Sequence, residues 1–126
     1  MNILLTGYGR MGRLIEQTAL AAGDKIAGIV DIGNINELPV LGRGADIVMD
    51  FSAPAALPAV AEFVRASGTP LLSGVTGLGE AELAVFDELG RYAPVMHSAN
   101  YSLGIAVFRR VLEEAGGVLR QDFDIE

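Results

Sequence analysis

Five short apolar segments alternating with helical patterns predict an α/β domain built on a parallel sheet. Two further observations sharpen this. The first apolar segment, Ile3-Leu4-Leu5, runs straight into Gly7-Tyr8-Gly9-Arg10-Met11-Gly12, a G-x-G-x-x-G spacing between a strand and a helix. The second segment, Lys25 to Val30, is apolar on both faces, as strands of parallel sheets usually are. The expected architecture is a Rossmann-like, doubly wound parallel sheet flanked by helices. Right-handed crossovers place its strands in the order 3-2-1-4-5.

The elements follow in turn. Asn2 to Thr6 is strand one, and Arg10 to about Ala22 is a helix with Met11, Leu14, Ile15, Thr18 and Ala19 at helical spacing. After strand two, Asp31 to Gly44 is weakly patterned, contains Pro39 and several glycines, and predicts a loop with at most one short helical turn. Ala45 to Asp50 is strand three. Ser52 is placed to cap the next helix and Pro54 suits its first turn; that helix stops at Gly68. Thr69 to Ser73 is strand four, Gly79 to about Gly90 a helix, Ala93 to His97 strand five, and Ser102 to Gly116 a last helix. Gln121 to Glu126 alternates polar and apolar residues like the opening strand of a further unit. The domain reading is therefore 1–120 for the dinucleotide-binding unit and 121–126 for the start of an absent one.

Composition narrows the function classes. The chain has 126 residues, 51% hydrophobic and 20% charged, with nine Lys or Arg against sixteen Asp or Glu and a net charge of −7. An acidic chain with no basic stripe is a poor partner for nucleic acid or an anionic membrane. No segment approaches the ~20 apolar residues of a membrane helix, and no secretory leader is legible, so the cytoplasm is the expected location. The absence of cysteine excludes disulfides and thiolate metal ligation. The acidic residues Asp46, Asp50, Asp87 and Glu88 show no metal-ligand spacing, and no metal site is expected.

Chemistry is expected beyond the carboxyl ends of the strands, where strand order reverses. In the first loop Gly7 permits a tight turn, Gly9 lets a pyrophosphate approach the main chain, and Gly12 lets the helix pack closely. The first helical N–H groups then face an anion. Arg10 and Arg13 oppose the helix dipole and so suggest that negative charge arrives there. After strand two, Asp31 stands 19 positions beyond Gly12, where a carboxylate accepts from ribose hydroxyls and repels a 2′-phosphate. With no basic neighbour beside it, NADH is expected over NADPH. Phe51 is placed to wall the cofactor cleft. Gly74 to Gly79 form a second loop open to close approach, with Thr76 adding a hydroxyl. Ser98, Ala99, Asn100 and Tyr101 form a polar cluster after strand five. His97, the sole histidine, shows no acid–base partner and is expected to be a strand-end polar residue.

Taken together, Gly7-Tyr-Gly-Arg-Met-Gly12, Asp50-Phe51-Ser52-Ala-Pro54, Gly74-Val-Thr-Gly77 and Ala99-Asn-Tyr-Ser-Leu-Gly104 resemble the dihydrodipicolinate reductase family over nearly the whole chain. The resemblance implies a bacterial reductase of lysine and diaminopimelate synthesis that uses NADH or NADPH. It implies that Gly7, Tyr8, Gly9, Arg10, Met11 and Gly12 hold the pyrophosphate, and that Asp31 contacts the adenosine ribose. Phe51 and Ser52 would border the cofactor. Gly74, Val75, Thr76 and Gly77 would lie beside the nicotinamide, with Ser98, Ala99, Asn100 and Tyr101 on its other side. A hinge around Ser102 to Ile105 is also implied.

The chain departs from the family in several places. Val75 stands where the family has a threonine, so its contact would be main-chain only. Ala106 replaces a frequent asparagine, and the glycine loop is one residue shorter than the commonest form. The family's His-His-x-x-Lys and Pro-Ser-Gly-Thr segment, which supplies the proton donor and grips a small dicarboxylate, has no counterpart; Lys25 is the sole lysine. No catalytic residue is therefore assigned in this chain, which is expected to bind cofactor without turnover. The complete enzyme is implied to be a homotetramer. The alternative reading is a stand-alone NAD(P)-binding or nucleotide-sensing module.

Overall fold

The computed structural model describes residues 1–119, and the patterned tail at 121–126 lies outside them. One sheet contains β1 (Asn2–Thr6), β2 (Lys25–Val30), β3 (Ile47–Asp50), β4 (Leu71–Ser73) and β5 (Val95–His97). Every neighbouring pair is parallel. Interleaved are α1 (Arg10–Ala21), α2 (Leu38–Leu41), α3 (Leu57–Ser67) and α4 (Glu80–Leu89), and α5 (Leu103–Leu119) follows β5. The α/β class and each expected strand and long helix are present.

The strand order is not the expected 3-2-1-4-5 but β2-β1-β3-β4-β5. β3 lies on the far side of β1 because it is the better-buried strand. Val48 and Asp50 are both fully enclosed. β2 carries Lys25 and Gly28 and leaves Lys25 and Ala27 exposed, features suited to an edge. The crossover between them is correspondingly tight. A Cβ on Gly28 would meet the Leu41 Cβ at 2.8 Å, and one on Gly42 would meet the Phe63 ring at 2.5 Å. Both glycines let the connection lie flat between β2 and α3.

That connection is also more ordered than the loop expected for Asp31 to Gly44. It holds a 3₁₀ helix at Ile32–Glu37 followed by α2. Leu38 is buried, and Ile35 and Leu41 pack against the core. This apolar anchoring, with a polar cap at Asp31 and Asn34, outweighs the weak local pattern. Ser52 likewise does not cap a helix. Its hydroxyl turns back to Asp50, and α3 is entered through a 3₁₀ turn at Pro54–Ala56 with Ala53 at the cap position.

Apolar residues fill both faces of the sheet. Leu4, Val30, Val48 and Leu71 meet Leu38 of α2, Val60 and Val64 of α3, and Phe86 and Leu89 of α4. Ile3 and Leu5 face the other way, against Ile15 and Ala19 of α1. Each enclosed aliphatic side chain contributes about 1.5–3 kcal/mol of transfer free energy. Across this frame Thr6, Asp50, Ser73 and His97, the last residues of four strands, stand in register. They form a polar row at the carboxyl edge.

Candidate cofactor-binding site

β1 lies between strands reached in opposite directions, so its carboxyl end, with that of β3, opens the crevice of the doubly wound fold. Gly7 follows at φ +86°, a left-handed conformation that side chains disfavour. Its N–H donates to the Val30 carbonyl at 2.8 Å, tying the turn to β2. A Cβ on Gly7 would sit 2.5 Å from the Phe51 carbonyl, and one on Gly12 would sit 2.2 Å from the Gly7 oxygen. Loop, β3 end and α1 therefore meet backbone to backbone. Gly9 differs: a Cβ built there meets nothing within 4 Å. It caps α1 without a side-chain hydrogen bond, and no acidic residue lies in the first turn. The amides at that helix start are open to an anion.

Tyr8 folds onto α1, its hydroxyl donating to Glu16 and its ring lying 4.7 Å beneath the Arg13 guanidinium. The hydrogen bond to Glu16 holds the phenol above its ordinary pKa. Arg10 and Met11 are exposed on the first turn. Gly7, Tyr8, Gly9, Asp31, Phe51 and Ser52 line one cleft of about 300 Å³, while Arg10, Met11 and Gly12 lie outside its lining. Ile32, Ile35, Ala53, Ala55 and Ala56 complete its wall. The reading of Asp31–Gly44 as loop missed Ile32 and Ile35. Asp31-x-x-Asn34 is the local signal that could have located them, since short polar side chains at this spacing cap helical turns.

Beneath the cleft lies Asp50, fully buried. Its Oδ1 accepts from the Thr6 hydroxyl at 2.7 Å, the Ser52 hydroxyl at 2.5 Å and the Ser52 N–H at 3.1 Å. Oδ2 has no partner. Sequence spacing offered no reason to single this carboxylate out, because its partners come from β1 and from the turn after β3.

Farther along the edge, the Phe51 ring lies on Gly74, where a Cβ would approach ring carbons to 2.3 Å. Tyr101 packs 6.1 Å from Phe51, centroid to centroid, and donates to the Ser73 carbonyl at 2.9 Å. Burial holds its phenol above the ordinary pKa. Val75 is buried as a whole, its N–H donating to Ser73 Oγ at 3.4 Å and its carbonyl accepting from His97, so the main-chain contact expected of it is not exposed, while Thr76 and Gly77 are exposed. Ser98 Oγ donates to the Asn100 carbonyl, and Asn100 Oδ1 accepts from the Ser102 N–H at 2.7 Å. Ser98, Ala99 and Asn100 line a separate hollow against α5 rather than the glycine-turn cleft. Phe51 and Tyr101 connect the two regions. His97 donates from Nε2 to the Val75 carbonyl at 3.0 Å and stacks on Phe86 at 4.5 Å. It holds β5, the β4 loop and α4 together. Among the described residues no cluster of His, Cys, Asp or Glu could hold a metal ion, and no helix is long and apolar enough to cross a membrane.

Residues 1–101 match the family model for the N-terminus of dihydrodipicolinate reductase. The chain belongs to the dihydrodipicolinate reductase family. A relative from Exiguobacterium sp., named 4-hydroxy-tetrahydrodipicolinate reductase, is 37% identical over 120 residues, covering 90% of this chain and 47% of its own. One of the same name from Thermomicrobium roseum is 36% identical over 132 residues, covering 90% and 51%. The chain thus spans about half the length of the dihydrodipicolinate reductases it matches. Among solved structures, Salmonella D-lactate dehydrogenase aligns with a TM-score of 0.47 at 16% identity, covering 100% of this chain and 41% of that one.

Proposed function

We propose that residues 1–120 form the dinucleotide-binding domain of an NAD(P)H-dependent 4-hydroxy-tetrahydrodipicolinate reductase of lysine and diaminopimelate synthesis. The observation that carries this is the glycine turn at the reversal point of the sheet, open at Gly9 and closed by backbone at Gly7 and Gly12. The residues fit a dinucleotide. The uncapped start of α1, with Gly9, Arg10, Met11 and Gly12, suits a pyrophosphate. Asp31 at the cleft wall suits the adenosine ribose, and Ile32, Ile35 and the alanines supply an apolar slot for a base.

On this reading Gly74, Thr76, Ala99, Asn100 and Tyr101 orient the nicotinamide beside Phe51, with Ser52, Val75 and Ser98 contributing through their loops. The nicotinamide, when bound, supplies the hydride; the chain's own share is binding and orientation. NADH is preferred, since Asp31 has no basic neighbour to receive a 2′-phosphate. No residue of these 126 is assigned as proton donor. Substrate capture, a small dicarboxylate, and assembly as a cytoplasmic homotetramer belong to the complete enzyme.

Calorimetric titration tests the reading. The chain is expected to bind NADH more tightly than NADPH and to show no reductase turnover by itself. Gly9→Ala is the decisive variant, because the fold has room for its methyl group. It should keep the wild-type melting temperature and lose tenfold or more in NADH affinity, as the methyl holds the pyrophosphate off the main chain. A Gly9→Ala protein that binds NADH like wild type overturns the assignment of the loop.

A further inference from the structure

We propose that Asn34 is a positioning residue for cofactor selectivity, acting through Asp31; this rests on the dinucleotide reading above. β2 is an edge strand. The Val30 carbonyl faces β1, where it accepts from Gly7. Successive peptide groups of a strand alternate in direction, so the Ile29 carbonyl and the Asp31 N–H face the open side, where no strand follows. The Asn34 side chain answers both groups. Its Oδ1 accepts from the Asp31 N–H at 2.7 Å, and its Nδ2 donates to the Ile29 carbonyl at 3.2 Å. One primary amide thus replaces the peptide that a neighbouring strand would offer. The Asn34 N–H adds a third tie, donating to the Asp31 carbonyl at 3.0 Å.

The consequence falls on the Asp31 carboxylate. Oδ1 accepts from the Ile32 N–H at 2.8 Å, and the carboxylate caps the 3₁₀ helix whose third residue is Asn34. Asp31 is exposed at the cleft wall, so no packing holds it. Its carboxylate stays in place only as well as its backbone does, and the Asn34 amide fixes that backbone on the side the sheet leaves open. A carboxylate held there accepts from a ribose diol and repels a 2′-phosphate; one allowed to swing does both less well. Asn34 itself touches no cofactor in this scheme.

The test measures dissociation constants of NADH and NADPH for the full chain carrying Asn34→Ala, Asp31→Ala or both. Asn34→Ala is expected to reduce the NADH-over-NADPH preference about five- to tenfold, the scale of one neutral hydrogen bond. The double variant should lose no more preference than Asp31→Ala alone, because Asn34 has nothing left to position. The preference is a ratio from one sample, so partial unfolding lowers both affinities alike and leaves it unchanged. An Asn34→Ala ratio equal to wild type, or losses that simply add in the double variant, overturns the role of Asn34. A wild-type ratio unaltered by Asp31→Ala overturns it too, by removing the residue it is said to position. Failure of the wild-type chain to bind either dinucleotide is a separate outcome and overturns the functional reading itself.

Discussion

Asp50 is the residue whose surroundings are least expected from its neighbours in sequence. A buried carboxylate with one oxygen accepting three hydrogen bonds and the other without a partner among the described residues serves Thr6 and Ser52 as an acceptor. Asp50→Asn keeps an acceptor for Thr6 and Ser52 but buries an amide NH₂ where Oδ2 lay without a partner, and should cost about 1–2 kcal/mol in urea denaturation. Asp50→Ala strips the acceptor from two hydroxyls and an N–H and should cost about 2–3 kcal/mol. Equal losses for the two variants would show that the charge itself is required. Residue roles were unevenly legible for this reason. Gly7, Gly9 and Gly12 announce their roles through spacing, because the turn they make is local. Asp50 does not, because the Thr6 hydroxyl it holds is brought to it from β1 by folding; Asn34 acts on Asp31 only three residues away, through a local spacing that the loop reading passed over.

Between elements, α3 and α4 are bridged by Arg65 and Glu88, with Nε and Nη2 reaching the carboxylate at 3.0 and 2.5 Å. The guanidinium holds the Glu88 carboxyl below the ordinary glutamate range. The folded state therefore favours the ionised form. The bridge contributes fully above the unfolded glutamate pKa and is lost as pH falls through the lower folded value. Because the pair is about one-third exposed, the effect is small and salt-sensitive. Glu88→Gln should lower the melting temperature slightly at pH 7 and make no difference near pH 2, as read in thermal melts at low ionic strength.

α5 is a contrasting element. Leu103 is 78% exposed and Phe108 59%, and the pairs Arg109–Glu113 and Arg110–Glu114 are i,i+4 contacts worth about 0.3–0.5 kcal/mol each. Gly116 and Gly117 weaken it further, by about 1 kcal/mol each relative to alanine. Its amides should exchange with deuterium roughly a hundredfold faster than those of β1 and β3, measured by mass spectrometry. Comparable protection would mean that α5 is covered in solution. The helix expected from Ser102 to Gly116 is present as Leu103–Leu119, but the sequence alone does not say whether its apolar residues meet a partner.

At the scale of the whole molecule, alternation of strand and helix, the placement of each long element and the glycine turn were all readable along the chain. These depend on residues within a few positions of one another: apolar periodicity, Pro54 near a helix start, Gly68 at a helix end. Membership of the dihydrodipicolinate reductase family was readable too, since its motifs are short and ordered. Strand neighbours were not. Whether β3 pairs outside β2 or inside against β1 turns on the relative burial of two strands and on whether a connection can lie flat at Gly28 and Gly42. Those are contacts between segments far apart in sequence, and periodicity within a segment contains no information about them. The cleft follows the same division. Its anion-binding turn and the Asn34 amide that secures Asp31 are local objects, whereas its apolar wall and the buried Asp50 beneath it exist only once the strands have been laid side by side.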